Sequence, residues 1–187
     1  MSDYRILLED PRYAAKIEQL FTRSFGHSRL TKTVYRLRED LPPLADSSCM
    51  AVEPGGALLA SLRFYPVLIE GQKALLLGPL AVEPALQGRG IGKALVRHGL
   101  TCAKRLGHGL CLVVGEPSYY ASYGFRRASE EGLLLPGPVD PRRFQVLELT
   151  PGILGQVRGL VRRDERRRRK RPSAEAEWAA SLLARSG

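Results

Sequence analysis

A mixed α/β sheet fold of one domain is the reading this sequence supports, and three observations carry it. The chain has 187 residues, with 44% hydrophobic and 26% charged residues, a globular composition with enough apolar material for a real core. Helical and strand periodicities alternate along it rather than falling into separate halves. Its turn residues fall between those patterns, so that each element has a physical start and stop.

The first element begins at Asp10-Pro11, an N-cap acid followed by proline at the first helical position. Tyr13, Ile17, Leu20, Phe21 and Phe25 then recur at helical spacing, and Gly26 can close the helix. A second helix is expected after Ser28, with Leu30, Val34, Leu37 and Leu41 on one side, ended by Pro42-Pro43. Ser48–Val52 and Ala57–Val67 read as strands around the turn Glu53-Pro54-Gly55-Gly56, a hairpin. A turn at Glu70-Gly71 leads into a strand over Lys73–Val82. Gly78-Pro79 interrupts that strand, because proline cannot donate a ladder hydrogen bond, and a bulge or splaying is expected there. Gly90 to Leu106 is the longest helical pattern, with Ile91, Leu95, His98, Cys102 and Leu106 along one line. Leu110–Val114 is a buried strand, Pro117–Tyr123 a short helix closed by Gly124, and Phe144–Leu149 a last strand.

Several function classes are disfavoured. No basic segment followed by a long apolar one opens the sequence, and the apolar stretch from Ala74 to Val82 is far short of a membrane span. Cys49, Cys102 and Cys111 are odd in number and widely spaced, which argues against a disulfide framework and a zinc site, and favours a reducing, cytoplasmic compartment. The net charge of +10 is uneven. Arg158 to Arg171 holds nine Arg/Lys and two acids, a local +7, leaving about +3 for the rest. The chain therefore divides into a domain over 1–157 and a basic extension over 158–187. In the extension, Pro172 ends any helix begun near Ile153, and Glu175, Glu177, Trp178, Leu182 and Leu183 suggest a short amphipathic helix. Its apolar side would dock on the domain or on a second copy, giving a homodimer. The basic run is either a solvated surface segment or a weak, salt-sensitive binder of polyanions; with no aromatic residue among its arginines, any nucleic-acid contact would be blind to sequence.

The chemistry concentrates where the strand ending at Val82 meets the long helix. The glycines at 88, 90 and 92 let backbone N–H groups converge, the helix N-terminus adds partial positive charge, and Arg89 and Lys93 can supplement it. That is a phosphate cradle. A P-loop is excluded, since Gln87 stands where its first glycine is needed and Ala94 replaces its Ser/Thr. The dinucleotide pattern G-x-G-x-x-G fails at Lys93 from one start and at Leu95 from the other.

Gln87-Gly88-Arg89-Gly90-Ile91-Gly92 resembles the Q/R-x-x-G-x-G/A signature of the GCN5-related N-acetyltransferase (GNAT) superfamily, and Leu80-Ala81-Val82-Glu83-Pro84 resembles the strand end preceding it there. Gly115-Glu116-Pro117-Ser118-Tyr119-Tyr120-Ala121-Ser122-Tyr123-Gly124-Phe125 resembles the Y-x-x-x-G-F element of the same superfamily, in the form seen in its YhbS-like branch. Phe144–Leu149 followed by Pro151-Gly152 is also similar to that branch. The resemblance is specific from about Leu75 to Leu149.

It implies a mostly antiparallel central sheet, flanked by helices, whose middle strands splay to admit the pantetheine arm of acetyl-CoA. It implies cofactor contacts from Leu80, Ala81, Val82, Gln87, Gly88, Arg89, Gly90, Ile91, Gly92 and Lys93, and transfer of an acetyl group to an amine by direct attack, with no metal. Tyr120, four residues before Gly124, matches the tyrosine that often serves as general acid in the family. Members often carry a glutamate on the strand before the glycine loop; Ala74-Leu75-Leu76-Leu77-Gly78-Pro79 offers none. Glu116 is the carboxylate nearest the expected thioester, Glu83 lies nearer the phosphate loop, and a water-mediated base is the other route. An alkylamine of pKa near 10.4 is neutral only about one part in a few thousand at pH 7, so deprotonation costs roughly 4–5 kcal/mol. The missing base also leaves a second reading, a protein that binds or senses acyl-CoA without turnover. The identity of the amine, small molecule or protein, is open.

Overall fold

In the computed structural model, residues 4–27 and 32–167 are described. Nine strands and four α-helices occur among them: β1 (Arg5–Leu8), α1 (Ala14–Phe25), α2 (Thr33–Arg36), β2 (Cys49–Val52), β3 (Leu58–Ile69), β4 (Gln72–Val82), α3 (Ile91–Arg105), β5 (Leu110–Val114), α4 (Pro117–Tyr120), β6 (Arg126–Arg127), β7 (Leu133–Leu134), β8 (Phe144–Glu148) and β9 (Gly159–Arg163). The sheet runs β1-β2-β3-β4-β5-β8-β6, antiparallel at every step but one. The exception is β4–β5, which is parallel and bridged by α3.

Local chemistry sets the element ends. The Asp10 carboxylate accepts from the Arg12 backbone N–H at 2.9 Å and caps a single 3-10 turn that runs into α1; Gly26, at φ 69°, ends that helix. The β3–β4 hairpin turns on Glu70 and Gly71, both at positive φ, a two-residue connection suited to strand twist. Burial on β2 alternates between two cores. Cys49 and Ala51 pack beneath α3, while Met50 and Val52 meet Ile17, Leu20 and Phe21 of α1. At Gly99 on α3, an added Cβ would lie 2.6 Å from the Phe64 ring, so the missing side chain is what lets this helix sit down on β3.

The bulge expected at Gly78-Pro79 is present. Leu62 pairs with Leu80 and Phe64 with Leu77, which leaves Gly78 and Pro79 opposite Arg63 alone. On the other side of β4, pairing with β5 stops at Leu76↔Leu112. Beyond that point the two strands part, and the gap opens between Leu77–Leu80 and Val113–Gly115.

Four expectations need correction. The second helix is only one α-turn, Thr33–Arg36, followed by single turns such as Leu41 N–H to Arg38 O. Asp40 at φ 59° and the prolines behind it stop propagation, although Val34, Leu37 and Leu41 are buried as the pattern required. Ser28 and Leu30 lie outside the described residues. On α3 the buried line is Ile91, Leu95, Val96, Gly99, Leu100 and Ala103; Leu106 is exposed, because the true core stripe drifts one residue from the line drawn through His98 and Cys102. No α-helix starts near Ile153. A 3-10 turn at Leu154–Gln156 leads into β9, which pairs with β3 at Val67–Ile69 and with β7 at Leu133–Leu134. The sheet thus continues past residue 157: β9 lies on the far side of that boundary and is paired with β3 and β7. The amphipathic segment after Pro172 and residues 168–171 of the basic run lie outside the described residues.

Candidate active site

The glycine loop stands at the N-terminus of α3, a fifteen-residue helix whose N-cap is Gly90 at φ 84° with no side-chain cap. The first-turn N–H groups therefore carry the helix's positive end without a protein acceptor at the cap. Gly88 is also at positive φ, and a Cβ on either glycine would meet nothing within 4 Å, so space is open where a ligand phosphate would approach. The Gln87 side chain donates to the Val82 carbonyl at 3.3 Å and ties the loop to the end of β4. Glu83, the one acid beside the loop, is paired with Arg23 of α1.

From the loop a cavity of about 440 Å³ runs along Leu80, Ala81, Val82 and residues 86–88 and 90–93, and a second of about 730 Å³ continues through the strand gap. Phe25, Leu80, Lys93 and Tyr119 stand in both walls, so the two form one cleft. Of the ten predicted cofactor residues, nine line the cavity at the loop; Arg89 does not, and is exposed. Ala81 and Ile91 turn their side chains into the core, 4% and 1% exposed, so what they offer a ligand is backbone.

Tyr120 and Glu116 both line the gap. Tyr120 is buried, edge-on to Phe125 with ring centroids 5.5 Å apart, and packed so closely on Gly115 that a Cβ there would sit 2.2 Å from its ring. Burial, and then the neighbouring Cys111 and Tyr123, push the Tyr120 phenol well above the ordinary tyrosine range, with Arg38 drawing it partly back. It therefore holds its proton at neutral pH and acts as a hydrogen-bond donor. Glu116 is exposed at the N-cap of α4 and is the only carboxylate in the described wall of this cavity. Cys111 is fully buried and its thiol pKa is raised by desolvation, which removes it as a nucleophile.

Two further residues line the cleft that were not among the predicted site residues. Tyr119 spans the two motifs: a Cβ on Gly92 would lie 3.1 Å from its hydroxyl, so a glycine at 92 is what lets that hydroxyl reach the helix N-terminus. Arg38, from the turns after α2, lines the gap beside Tyr120 and donates from Nη2 to the Leu77 carbonyl at 3.3 Å. The adjacency of Tyr119 to Tyr120 was a usable signal; nothing local pointed to Arg38.

Residues 45–127 match the family model described as acetyltransferase (GNAT) domain. The chain is 32% identical over 158 residues to the uncharacterized N-acetyltransferase YhbS of Escherichia coli strain K12, covering 83% of this chain and 93% of that protein. The chain belongs to the GNAT acetyltransferase family. Its similarity within that family is to YhbS, and its class of activity is acyl-CoA-dependent acetyl transfer. The crystal structure of E. coli YhbS in complex with CoA is similar to it with a TM-score of 0.77, 30% identity, and coverage of 88% of this chain and 92% of that one. A Brucella melitensis GNAT acetyltransferase solved with acetyl-CoA is similar with a TM-score of 0.63 and 30% identity, over 87% of this chain and 96% of that one. GNAT enzymes use acetyl-CoA as co-substrate; among the described residues no group of three or more His, Cys, Asp or Glu could hold a metal. No helix among them is long and apolar enough to cross a membrane.

Proposed function

We propose that this GNAT protein acetylates an amine by direct attack, with acetyl-CoA lying along the cleft and its pyrophosphate on the backbone N–H groups of residues 88–93. The observation that carries the reading is the continuity between the uncapped N-terminus of α3 and the β4–β5 gap. Acetyl-CoA supplies the thioester that an amine attacks. Gly88 and Gly90 keep side chains away from the phosphates, Lys93 adds charge, and Leu80 and Val82 line the route of the arm. Tyr120 donates a hydrogen bond toward the departing sulfur. For a phenol whose ordinary pKa is near 10 against a thiol near 8.5, full proton transfer is about 1.5 units uphill, and burial raises the phenol further. Donation without full transfer is therefore the role the chemistry favours. Glu116, exposed at the rim, receives the amine proton through water. Arg89 adds long-range attraction rather than contact.

The experiment is calorimetric titration of acetyl-CoA, followed by incubation with a panel of amines read by mass. Micromolar binding and a mass gain of one acetyl group on an amine are expected; binding without any acetylated amine would favour an acyl-CoA sensor. The basic run Arg158–Arg171 serves as a weak polyanion contact separate from catalysis, and its test is salt-dependent retention of RNA by the full chain against one ended at Asp164, which keeps β9 whole. We place the activity in a reducing, cytoplasmic setting on the strength of its three unpaired cysteines. A homodimer through the segment after Pro172 is tested by light scattering of the same two chains.

A further inference from the structure

Two arginines flank the β4 bulge, Arg63 buried and Arg38 half-buried, and their surroundings differ. Arg63, opposite Gly78 and Pro79, donates to both Glu9 oxygens at 2.7 Å and also to Glu18. Burial by itself lowers its pKa, but the hydrogen bonds to Glu9 and the charges around it more than reverse that, so the ion stays stable where it is. Arg38 lies on the cleft side of the same bulge. Its guanidinium stacks 5.0 Å over the Tyr35 ring and 5.5 Å from the Tyr65 ring, and its Nε is shut away from solvent with no hydrogen-bond partner. Among the described residues its hydrogen bonds reach neutral oxygens, the Leu77 carbonyl and the Tyr35 hydroxyl. Gly78 permits this position, since a Cβ there would come within 3.1 Å of Arg38 Nη2. Desolvation accordingly pulls the Arg38 pKa down, the opposite of Arg63. A guanidinium partly withdrawn from water without a carboxylate is a costly arrangement that an incoming anion relieves.

The wall around it has the same polarity. On the cleft side, Lys32, Arg38, Lys93 and Arg143 line the cavity against one carboxylate among the described residues, Glu116, while Glu18 and Glu39 share a smaller cavity with Arg38 on its other side. Lys93 lines both cavities, whereas Lys32, Arg38 and Arg143 line the strand gap alone, away from the glycine loop. An acceptor carrying further ammonium groups would meet repulsion there, whereas one with an anionic substituent would be drawn in.

We propose that Arg38 is an acceptor-specificity residue whose guanidinium binds a carboxylate on the amine substrate, so that the acceptor is an amino acid or a closely related amino carboxylate. A carboxylate is preferred over a phosphate because Tyr35 and Tyr65 cover the guanidinium and Leu77 already takes one Nη2 proton, leaving a narrow edge for a planar anion. Arg38 also acts on the Tyr120 phenol, so the carboxylate would be held within electrostatic reach of the leaving-group donor. This inference rests on the acetyltransferase reading of the same cleft.

The test compares each standard amino acid with its own amide, and phosphoethanolamine with ethanolamine, as acceptors for acetyl-CoA. At least one amino acid is expected to exceed its amide in kcat/KM by about ten- to a hundredfold, the scale of a hydrogen bond to a charged group. In R38Q that ratio should collapse toward one, mainly through KM for the acid, while the acetyl-CoA Kd stays as in the wild type. R38K, which keeps charge but not the fork, should retain part of the preference and covers the case in which R38Q folds poorly. Equal rates for acids and amides, an acid preference that survives in R38Q, or a stronger preference for the phosphate pair would each overturn the proposal while leaving acetyl transfer standing. Acetyl-CoA binding with no amine acetylated would overturn both.

Discussion

At one end of the cleft stand the backbone amides of residues 88–93, in a loop whose Gly88 and Gly90 sit at positive φ with open surroundings. At the other end stand side chains, Arg38, Glu116, Tyr119 and Tyr120, delivered by separate segments into a gap between two strands. The first end depends on conformation, and little else can replace a glycine there. The second depends on packing, so its weak points are the small residues that let large ones approach: Gly78 for Arg38, Gly92 for Tyr119, Gly115 for Tyr120.

The largest effect should come from the backbone end. Gly90→Val forces a β-branched residue to φ 84° and puts a side chain into the anion's space. Acetyl-CoA binding by calorimetry should fall beyond detection, while the fold survives with a loss of about 1–2 kcal/mol, the cost of a left-handed residue. A folded variant with unchanged affinity would break the assignment of the loop. At the side-chain end, Tyr120→Phe should lower turnover by about ten- to a thousandfold, within or just below the range of a proton-transfer group, with little change in acetyl-CoA affinity. Gly115→Ala tests the same tyrosine through packing. It should slow turnover comparably by displacing the ring, and normal turnover would show that the gap is more tolerant than the loop.

The pH profile sharpens the contrast, because the Tyr120 pKa is raised. The phenol remains protonated past the ordinary tyrosine value, so kcat/KM should climb as the amine loses its proton and show no fall through about pH 10. The sign for stability is the reverse. Tyr119 and Tyr120 both have raised folded pKa values, chiefly from burial, so their contribution is intact below about pH 10 and is lost as pH rises above it. Thermal melts between neutral pH and pH 11 should show a falling Tm, and Tyr120→Phe should reduce that fall. Glu116→Gln is expected to cost no more than about tenfold in kcat/KM, since an exposed carboxylate at the rim can be replaced by solvent. A hundredfold loss would make it a direct base. The smallest effect is at the thiols. Burial raises the Cys49 pKa to about 12 and the Cys111 pKa further, so only Cys102 should react with an aromatic disulfide in the folded protein, with activity retained.

Legibility in the sequence followed the same division. The hairpin at Glu53–Gly56, the interruption at Gly78-Pro79, the buried strand Leu110–Val114 and the phosphate loop were readable because each depends on neighbours in the chain: a glycine's free φ, a proline's missing N–H, a continuous apolar run. The short strands Arg5–Leu8, Arg126–Arg127, Leu133–Leu134 and Gly159–Arg163 were not, since each is strand-like only through its partner; β9 has Val161 alone fully buried.

What the sequence determined by itself, then, was the family, the acetyl-CoA class of co-substrate and the glycine loop at the head of α3, all written in residues that act where they stand in the chain. Tertiary structure alone decided the strand gap and what lines it. Arg38 reaches Leu77 across 39 positions and lies beside Tyr120 only because β4 bulges at Gly78 and parts from β5 after Leu76. Charge compensation is likewise a property of space rather than of order: Arg63 finds Glu9 and Glu18 at separations of 54 and 45 residues, and Arg38 finds no such partner among the described residues. Sequence spacing cannot report that difference, because it arises from which long-range neighbours the packed sheet brings within hydrogen-bond distance.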